Sequence, residues 1–310
     1  MNAQVENLIA MMRAAVPPDA PRMWDMTPAE ARASFDTFAR ALNYGGPEMA
    51  ERRELTIPGP RGAVPARLYV PRNAGARSPG LLYFHGGGFV IGSPDTHDRL
   101  TRELAQGSGM RVLSVHYGLA PEQPYPAGLD DCVSAATWLA THGAGLGIDP
   151  ERLLIGGDSA GANLAAATVL RLRAVQAPVR FRAALLIYGY FTHEETPART
   201  AWGTRDLVLS QQVMEWFAEH YVGARGDQKD PYLNPLVGDL RGFPPSVLVA
   251  GTLDPLVDDS RLFAAALEKA GVAAELHVYD DGLHAFAQFS MLDMCGDALG
   301  KLCAFARSRA

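Results

Sequence analysis

The pentapeptide Gly157-Asp158-Ser159-Ala160-Gly161 constrains this chain more than any other stretch, because it calls for a tight turn between a buried strand and a helix. The preceding run, Arg152-Leu153-Leu154-Ile155-Gly156, is short, apolar and strand-like. The following run, Ala162-Asn163-Leu164-Ala165-Ala166-Ala167, is built of helix formers. A serine on such an elbow is held at strained backbone angles, and a bulky residue two places to either side would collide with its neighbours. Gly157 and Gly161 occupy those two places. This strand, turn and helix context is the one in which Gly-x-Ser-x-Gly makes a serine nucleophilic.

A second strand pattern, Leu81-Leu82-Tyr83-Phe84, runs into His85-Gly86-Gly87-Gly88-Phe89, three glycines where the backbone must turn and leave N–H groups free. Attack on a carbonyl generates an oxyanion, and N–H groups fixed about 2.7–3.1 Å from it supply several kcal/mol of transition-state stabilisation. Gly86 and Gly87, with Ala160 just after the nucleophile, are the expected donors. A glycine-rich turn after a strand can also cradle phosphate, but the chain contains neither G-x-x-x-x-G-K-[ST] nor G-x-G-x-x-G.

A serine hydroxyl needs a base to take its proton and an acid to orient that base. Ser246-Val247-Leu248-Val249-Ala250-Gly251 reads as a strand, and Asp254 follows it. Glu275-Leu276-His277-Val278-Tyr279 alternates like the next strand, with His284 just beyond. The order Ser159, Asp254, His284 places each group past a strand's carboxyl end, as in an α/β-hydrolase. Asp258 is the alternative orienting acid, expected on the first turn of the following helix.

His85-Gly86-Gly87-Gly88, the Gly157–Gly161 pentapeptide, Asp254-Pro255-Leu256 and His284-Ala285-Phe286 together resemble the bacterial hormone-sensitive-lipase-like esterases of the α/β-hydrolase superfamily. Tyr117-Gly118-Leu119-Ala120-Pro121-Glu122 and the cap-like Asp206-Leu207-Val208-Leu209-Ser210 extend the likeness, which covers nearly the whole chain and thins before about residue 50. The resemblance implies a serine esterase of short acyl chains with a mostly helical cap. The chain departs from the family pattern at Gly118, where arginine is usual, at Asn234, where serine commonly precedes Pro235, and at Ala285, where glycine commonly follows the histidine. Gly118 puts a supporting salt bridge in question, and Ala285 bears on packing beside the base.

Other residues carry plainer readings. His85 is expected to brace the glycine loop by hydrogen bonding, and His193, without H-E-x-x-H spacing, to be a solvated loop residue. Asp158 either tunes the serine or favours the helix dipole. Phe89, Tyr188 and Phe286 are candidates for lining the substrate pocket, with ordinary core packing as the alternative.

Lys and Arg number 28 against 34 Asp and Glu, a formal charge of -6, and no basic run could track a phosphate backbone, so nucleic acid is not an expected partner. Met1-Asn2-Ala3-Gln4-Val5-Glu6 lacks the cationic and apolar segments of a secretory signal, and no apolar stretch approaches about 18 residues, so neither export nor a membrane span is expected. Cys132, Cys295 and Cys303 are odd in number and widely spaced, which suits a reduced cytoplasm without metal or disulfide. No cofactor is expected. The expected partner is a small-molecule ester, and homodimerisation stays open.

Helix-prone segments over Val5–Ala15 and from Thr27-Pro28-Ala29-Glu30 to about Leu42 precede two alternating segments, Arg53–Ile57 and Ala66–Val70. Strands near 81–84, 111–116, 152–156, 183–188, 246–250 and 275–279 then alternate with helices near 95–106, 129–141, 160–173, 258–270 and 291–307. The alternation argues a mostly parallel eight-stranded sheet with helices on both faces, which together with the resemblance implies an α/β-hydrolase fold with a helical cap. Residues 1–50 are assigned to the N-terminal part of the cap, 51–190 and 241–310 to the catalytic core, and 191–240 to a cap insertion containing the helical run Gln211-Gln212-Val213-Met214-Glu215-Trp216-Phe217. The expected chemistry is short-chain ester hydrolysis through an acyl-enzyme on Ser159. An amidase or carbamate hydrolase with the same triad, and a non-catalytic ligand receptor on the same fold, are the alternatives.

Overall fold

The computed structural model describes residues 1–17, 19–205, 207–223 and 226–310; Asp206 of the cap-like segment lies outside the described residues. Two helices come first. Helix α1 (Ala3–Ala15) is capped by Asn2, whose side-chain oxygen accepts the Val5 N–H at 3.0 Å. Helix α2 (Pro28–Leu42) begins at the predicted place with a reciprocal cap: Thr27 Oγ1 accepts the Glu30 N–H, and the Glu30 carboxylate accepts the Thr27 N–H.

A hairpin of β1 (Met49–Gly59) and β2 (Gly62–Pro71) leads into β3 (Ser78–Phe84), α3 (Asp98–Ser108), β4 (Arg111–Val115), α4 (Ala127–His142), β5 (Ile148–Asp158), α5 (Ala160–Ala174) and β6 (Ala183–Ile187). The segment between β6 and β7 carries α6 (Pro197–Trp202) and α7 (Gln211–Tyr221), and β7 (Ser246–Leu253), α8 (Val257–Lys269), β8 (Ala274–Leu283) and α9 (Asp293–Arg309) follow. Among the described residues eight strands form one sheet in the order β1-β2-β4-β3-β5-β6-β7-β8. β1 and β2 pair antiparallel with their neighbours, and β4 onward is parallel.

The alternation within each strand builds two separate cores. Leu82, Phe84, Leu113, Ile155, Leu186 and Leu248 face α4, α5 and α8. Leu81, Tyr83, Val112, Leu154, Leu185 and Val247 face the other layer, with Leu104 of α3 and Leu302 of α9. Burial on both faces explains the near-continuous apolar runs of the central strands.

Three expectations need correction. Residues 95–97, expected to start a helix, form a turn instead, because the Ser93 and Thr96 hydroxyls cap the local N–H groups; α3 begins only at Asp98. Strand β5 outruns the expected 152–156 because its pairing with β6 continues to Asp158 opposite Ile187. Within the segment assigned wholly to the cap, Val5 and Leu8 of α1 are buried in the core on the α3 and α9 face, so α1 belongs to the body of the molecule. Trp24 and Phe35 pack instead on the other cluster, and the short turn Met23–Asp25 lies against α7. Among the described residues no helix is long and apolar enough to cross a membrane.

Candidate active site

Ser159 ends β5 and starts α5 with φ 53° and ψ -120°, a left-sided conformation that costs a residue with a side chain about 1–3 kcal/mol. Its N–H donates to Ile187 O at 2.8 Å, which pins the elbow to the neighbouring strand. A Cβ on Gly157 would meet the Gly161 backbone and Phe84 O at 2.5 Å, and one on Gly161 would run into Phe84 O. Both glycines are therefore required by close backbone approach, as their spacing predicts.

The structure brings together the three groups read from the sequence. His284 Nε2 lies 2.9 Å from Ser159 Oγ, and His284 Nδ1 lies 2.8 Å from Asp254 Oδ2. Asp254 is fully buried just past β7, and its other oxygen accepts the Leu256 N–H at 2.8 Å. That fixed carboxylate favours the tautomer with a proton on Nδ1, which leaves the Nε2 lone pair facing the serine hydroxyl. Asp258 sits on the first turn of α8, as expected, but faces away: it accepts the Ala198 N–H at 2.9 Å and pairs with Arg261.

The glycine loop departs from expectation in one respect. The Gly86 N–H donates to Asp158 Oδ1 at 3.0 Å and so is not free to meet a substrate oxygen. No hydrogen bond from the Gly87 or Gly88 N–H occurs among the described residues, and both glycines have positive φ, 116° and 56°. The Ala160 N–H is the first of its helix and has no intrahelical acceptor. The free donors are thus at Gly87, Gly88 and Ala160, one residue later in the loop than expected.

His85 braces this loop as predicted. Its Nδ1 lies 2.8 Å from Gly86 O, its ring stacks on Tyr117 at 4.3 Å, and the Tyr117 hydroxyl donates to His85 O. Burial, with the neighbouring His97 and His116, pushes its pKa well below the ordinary histidine range, so it is neutral. The Asp158 carboxylate, at the end of β5 and 1 % exposed, accepts the Tyr83 hydroxyl and the Gly86 N–H beneath the loop. His193 is not solvated: its Nδ1 contacts the Tyr190 hydroxyl at 2.8 Å, its Nε2 is buried, and burial lowers its pKa. Among the described residues no cluster of three or more His, Cys, Asp or Glu is placed to hold a metal ion.

Of the three aromatic candidates, Tyr188 lies against the site, its ring centroid 5.0 Å from the His284 imidazole. Phe286 is fully buried behind it, in contact with Tyr188 and Tyr279, and is a core residue. Phe89 stacks on Tyr221 of α7 with centroids 3.9 Å apart. The half-buried Phe217, which the sequence placed only on a cap helix, covers Gly88 so closely that a Cβ there would run into its ring.

Cap and core are joined at a neck. The Asn163 amide donates to both Tyr190 O and Leu233 O, the two ends of the insertion, at 2.8 and 3.0 Å. Asp259 accepts the Phe191 and Thr192 N–H groups and the Arg199 guanidinium, all buried. The three departures from the family pattern also resolve. Arg61, from the β1–β2 turn, pairs with Asp130 and Asp131, and the Gly118 N–H donates to Asp131 Oδ2, so a cation from elsewhere in the chain serves this carboxylate pair. Asn234 donates its amide to Gln228 O at 3.1 Å. Ala285 takes φ 63°, ψ 15°, the left-handed conformation for which glycine is better suited.

A family model described as the alpha/beta hydrolase fold matches residues 81–288. An ester hydrolase from the metagenome of Lake Arreo, solved with a bipyridine phosphonate derivative, superposes with a TM-score of 0.95 at 32% identity, covering 99% of this chain and 98% of that one. The hyperthermophilic esterase of the archaeon Pyrobaculum calidifontis gives 0.88 at 34% identity, over 92% and 94% of the two chains. A thermostable carboxylesterase cloned from a metagenomic library gives 0.87 at 34% identity, over 91% and 97%.

Proposed function

This chain belongs to the hormone-sensitive-lipase-like esterases of the α/β-hydrolase superfamily and is a serine carboxylesterase, and on that premise we propose how its own residues carry the reaction and which esters it takes. Ser159 Oγ attacks the ester carbonyl as His284 Nε2 takes its proton. Asp254 holds the imidazole in the required tautomer and compensates the imidazolium that forms. The negative charge on the carbonyl oxygen is met by the N–H groups of Gly87, Gly88 and Ala160. Collapse of the tetrahedral adduct breaks the bond to the alcohol oxygen, which takes the proton from His284, and leaves the acyl group on Ser159. A water then gives one proton to His284 as it attacks the acyl carbonyl, and collapse of the second adduct breaks the bond to Ser159 Oγ, which takes the proton back from His284 as the acid leaves. The observation that supports this division is the unbroken chain of hydrogen bonds from Asp254 through His284 to Ser159.

The substrates are short acyl esters, from acetyl to about hexanoyl. Phe217 over Gly88 and the Phe89–Tyr221 stack set aromatic walls beside the proposed oxyanion donors, which argues for a shallow acyl site rather than a lipid groove. The three cysteines are free and buried, which fits work in a reducing cytoplasm. A panel of p-nitrophenyl esters from acetyl to palmitoyl, run beside matched anilides, tests the proposal. Highest kcat/KM on acetyl to hexanoyl esters supports it, and preference for palmitoyl esters or for anilides overturns it.

A further inference from the structure

We infer that Asp158 is a positioning residue of the catalytic centre: its buried carboxylate ties the loop that carries the Gly87 and Gly88 N–H groups to the nucleophile elbow and to the segment that follows His284. The inference rests on the proposed oxyanion role of Gly87 and Gly88. Four contacts build it. Oδ1 accepts the Tyr83 hydroxyl at 2.7 Å and the Gly86 N–H at 3.0 Å, both from β3 and the loop it feeds. Oδ2 lies 3.2 Å from His97 Nε2, at the start of α3, and 3.4 Å from Gln288 Nε2, four residues past the base. The carboxylate itself is covalently next to Ser159, so three segments that must keep sub-ångström register meet on one group.

The packing leaves this group no substitute. A Cβ on Gly86 would lie 2.6 Å from Asp158 Oδ2 and 2.9 Å from Asp158 O, so the loop is pressed directly onto the carboxylate. Its neighbours Tyr83 and His97 are as deeply buried as Asp158. Burial alone would raise the Asp158 pKa, but His97, aided by the Tyr83 hydroxyl, holds it below the ordinary aspartate value, so the group accepts hydrogen bonds as an anion. Without it the Gly86 N–H and Tyr83 hydroxyl are buried unpaired, and the loop gains freedom to turn the next two N–H groups away from the oxyanion. Asp158 touches no substrate atom; it acts through the loop.

The test compares Asp158→Ala and Asp158→Asn with the parent enzyme, using butyryl ester kinetics per site titrated with a phosphonate and the affinity of a trifluoromethyl ketone relative to its methyl ketone. The ketone that forms a tetrahedral oxyanion reads the donors' alignment, whereas KM reads ground-state binding. Asp158→Ala is expected to lower kcat about 10²–10³-fold with KM within about threefold, and to lower the ketone preference in proportion. Asp158→Asn keeps an oxygen for Tyr83 and Gly86 and is expected to recover at least about tenfold of that loss. Tyr83→Phe and Gln288→Ala, which each remove one contact, read the same quantities if Asp158→Ala does not fold. Unchanged kcat and ketone preference in the soluble variants, with only the melting temperature lowered, overturns the inference. A parent enzyme that shows no preference for the trifluoromethyl ketone overturns instead the oxyanion reading on which it rests.

Discussion

Replacing Asp254 by asparagine isolates the part of the mechanism that rests on a single proton. The Asp254 carboxylate is fully buried, 2.8 Å from His284 Nδ1, with its second oxygen already held by the Leu256 N–H. An asparagine in this place keeps the volume and can keep its oxygen on Leu256, which turns its NH₂ toward Nδ1. Nδ1 must then be the bare nitrogen, the proton moves to Nε2, and Nε2 can no longer accept from Ser159. Loss of the correct tautomer costs about 10⁴-fold in kcat, or about 5.5 kcal/mol of barrier. Asp258→Asn serves as the internal control, since that carboxylate contacts the Ala198 N–H and Arg261 instead of the imidazole. It is expected to cost less than about tenfold. Stopped-flow hydrolysis of one butyryl ester by both variants, normalised to the titrated site concentration, makes the comparison. The reasoning fails if Asp254→Asn keeps more than about a tenth of parental kcat, or if Asp258→Asn is the more damaged variant.

Burial raises the Asp259 pKa to about 6 against the pull of Arg199, so between the usual aspartate range and that value the folded state holds a proton the unfolded state has released. Stability from this group is therefore lost as pH rises through that window. Arg199→Met, which leaves the buried carboxylate unpaired, is expected to cost about 3–5 kcal/mol near pH 8 and clearly less near pH 5 by urea unfolding; a pH-independent loss contradicts this. Phe217→Ala should open the wall over Gly88 and raise kcat/KM on octanoyl relative to butyryl esters by about tenfold, and an unmoved chain-length profile removes Phe217 from the acyl site. Deleting residues 1–40 removes Val5 and Leu8 from the core and Arg32 from Val90 O, Ala120 O and Glu122, so it should lower the melting temperature as well as broaden acyl selectivity. A truncated enzyme with parental stability and selectivity would exclude both roles. Chelators should leave activity unchanged, and loss restored by zinc would require a metal mechanism.

What the sequence made legible follows from how local each signal is. Gly157, Ser159 and Gly161 announce their elbow because the backbone permits little else there, and Asp254 and His284 stand just past strands whose periodicity is clear. The strand order, with β3 between β4 and β5, adds no new residue type and is set by how the crossovers pack. The Gly86 misassignment has a different origin. Three successive glycines look alike in sequence, and which N–H is spent depends on a carboxylate 72 residues away in the chain. Arg61 shows the same limit, since nothing near Gly118 indicates that a turn between β1 and β2 brings it a cation. His193 reads as a polar loop residue until the fold lays its ring against Tyr190. Phe217 is legible in the sequence only as the end of a helical run, and its contact with Gly88 depends on how that helix sits on the core.

Trapping the acyl-enzyme tests the central claim most directly. A butyryl ester is mixed with enzyme, quenched in acid during the first turnovers, and the protein is digested and mapped by mass spectrometry. The account predicts a burst of alcohol equal to the enzyme present and a butyryl group on the peptide containing Ser159, with neither in Ser159→Ala. Ester turnover that proceeds without an adduct on Ser159, or that survives in Ser159→Ala, would contradict it.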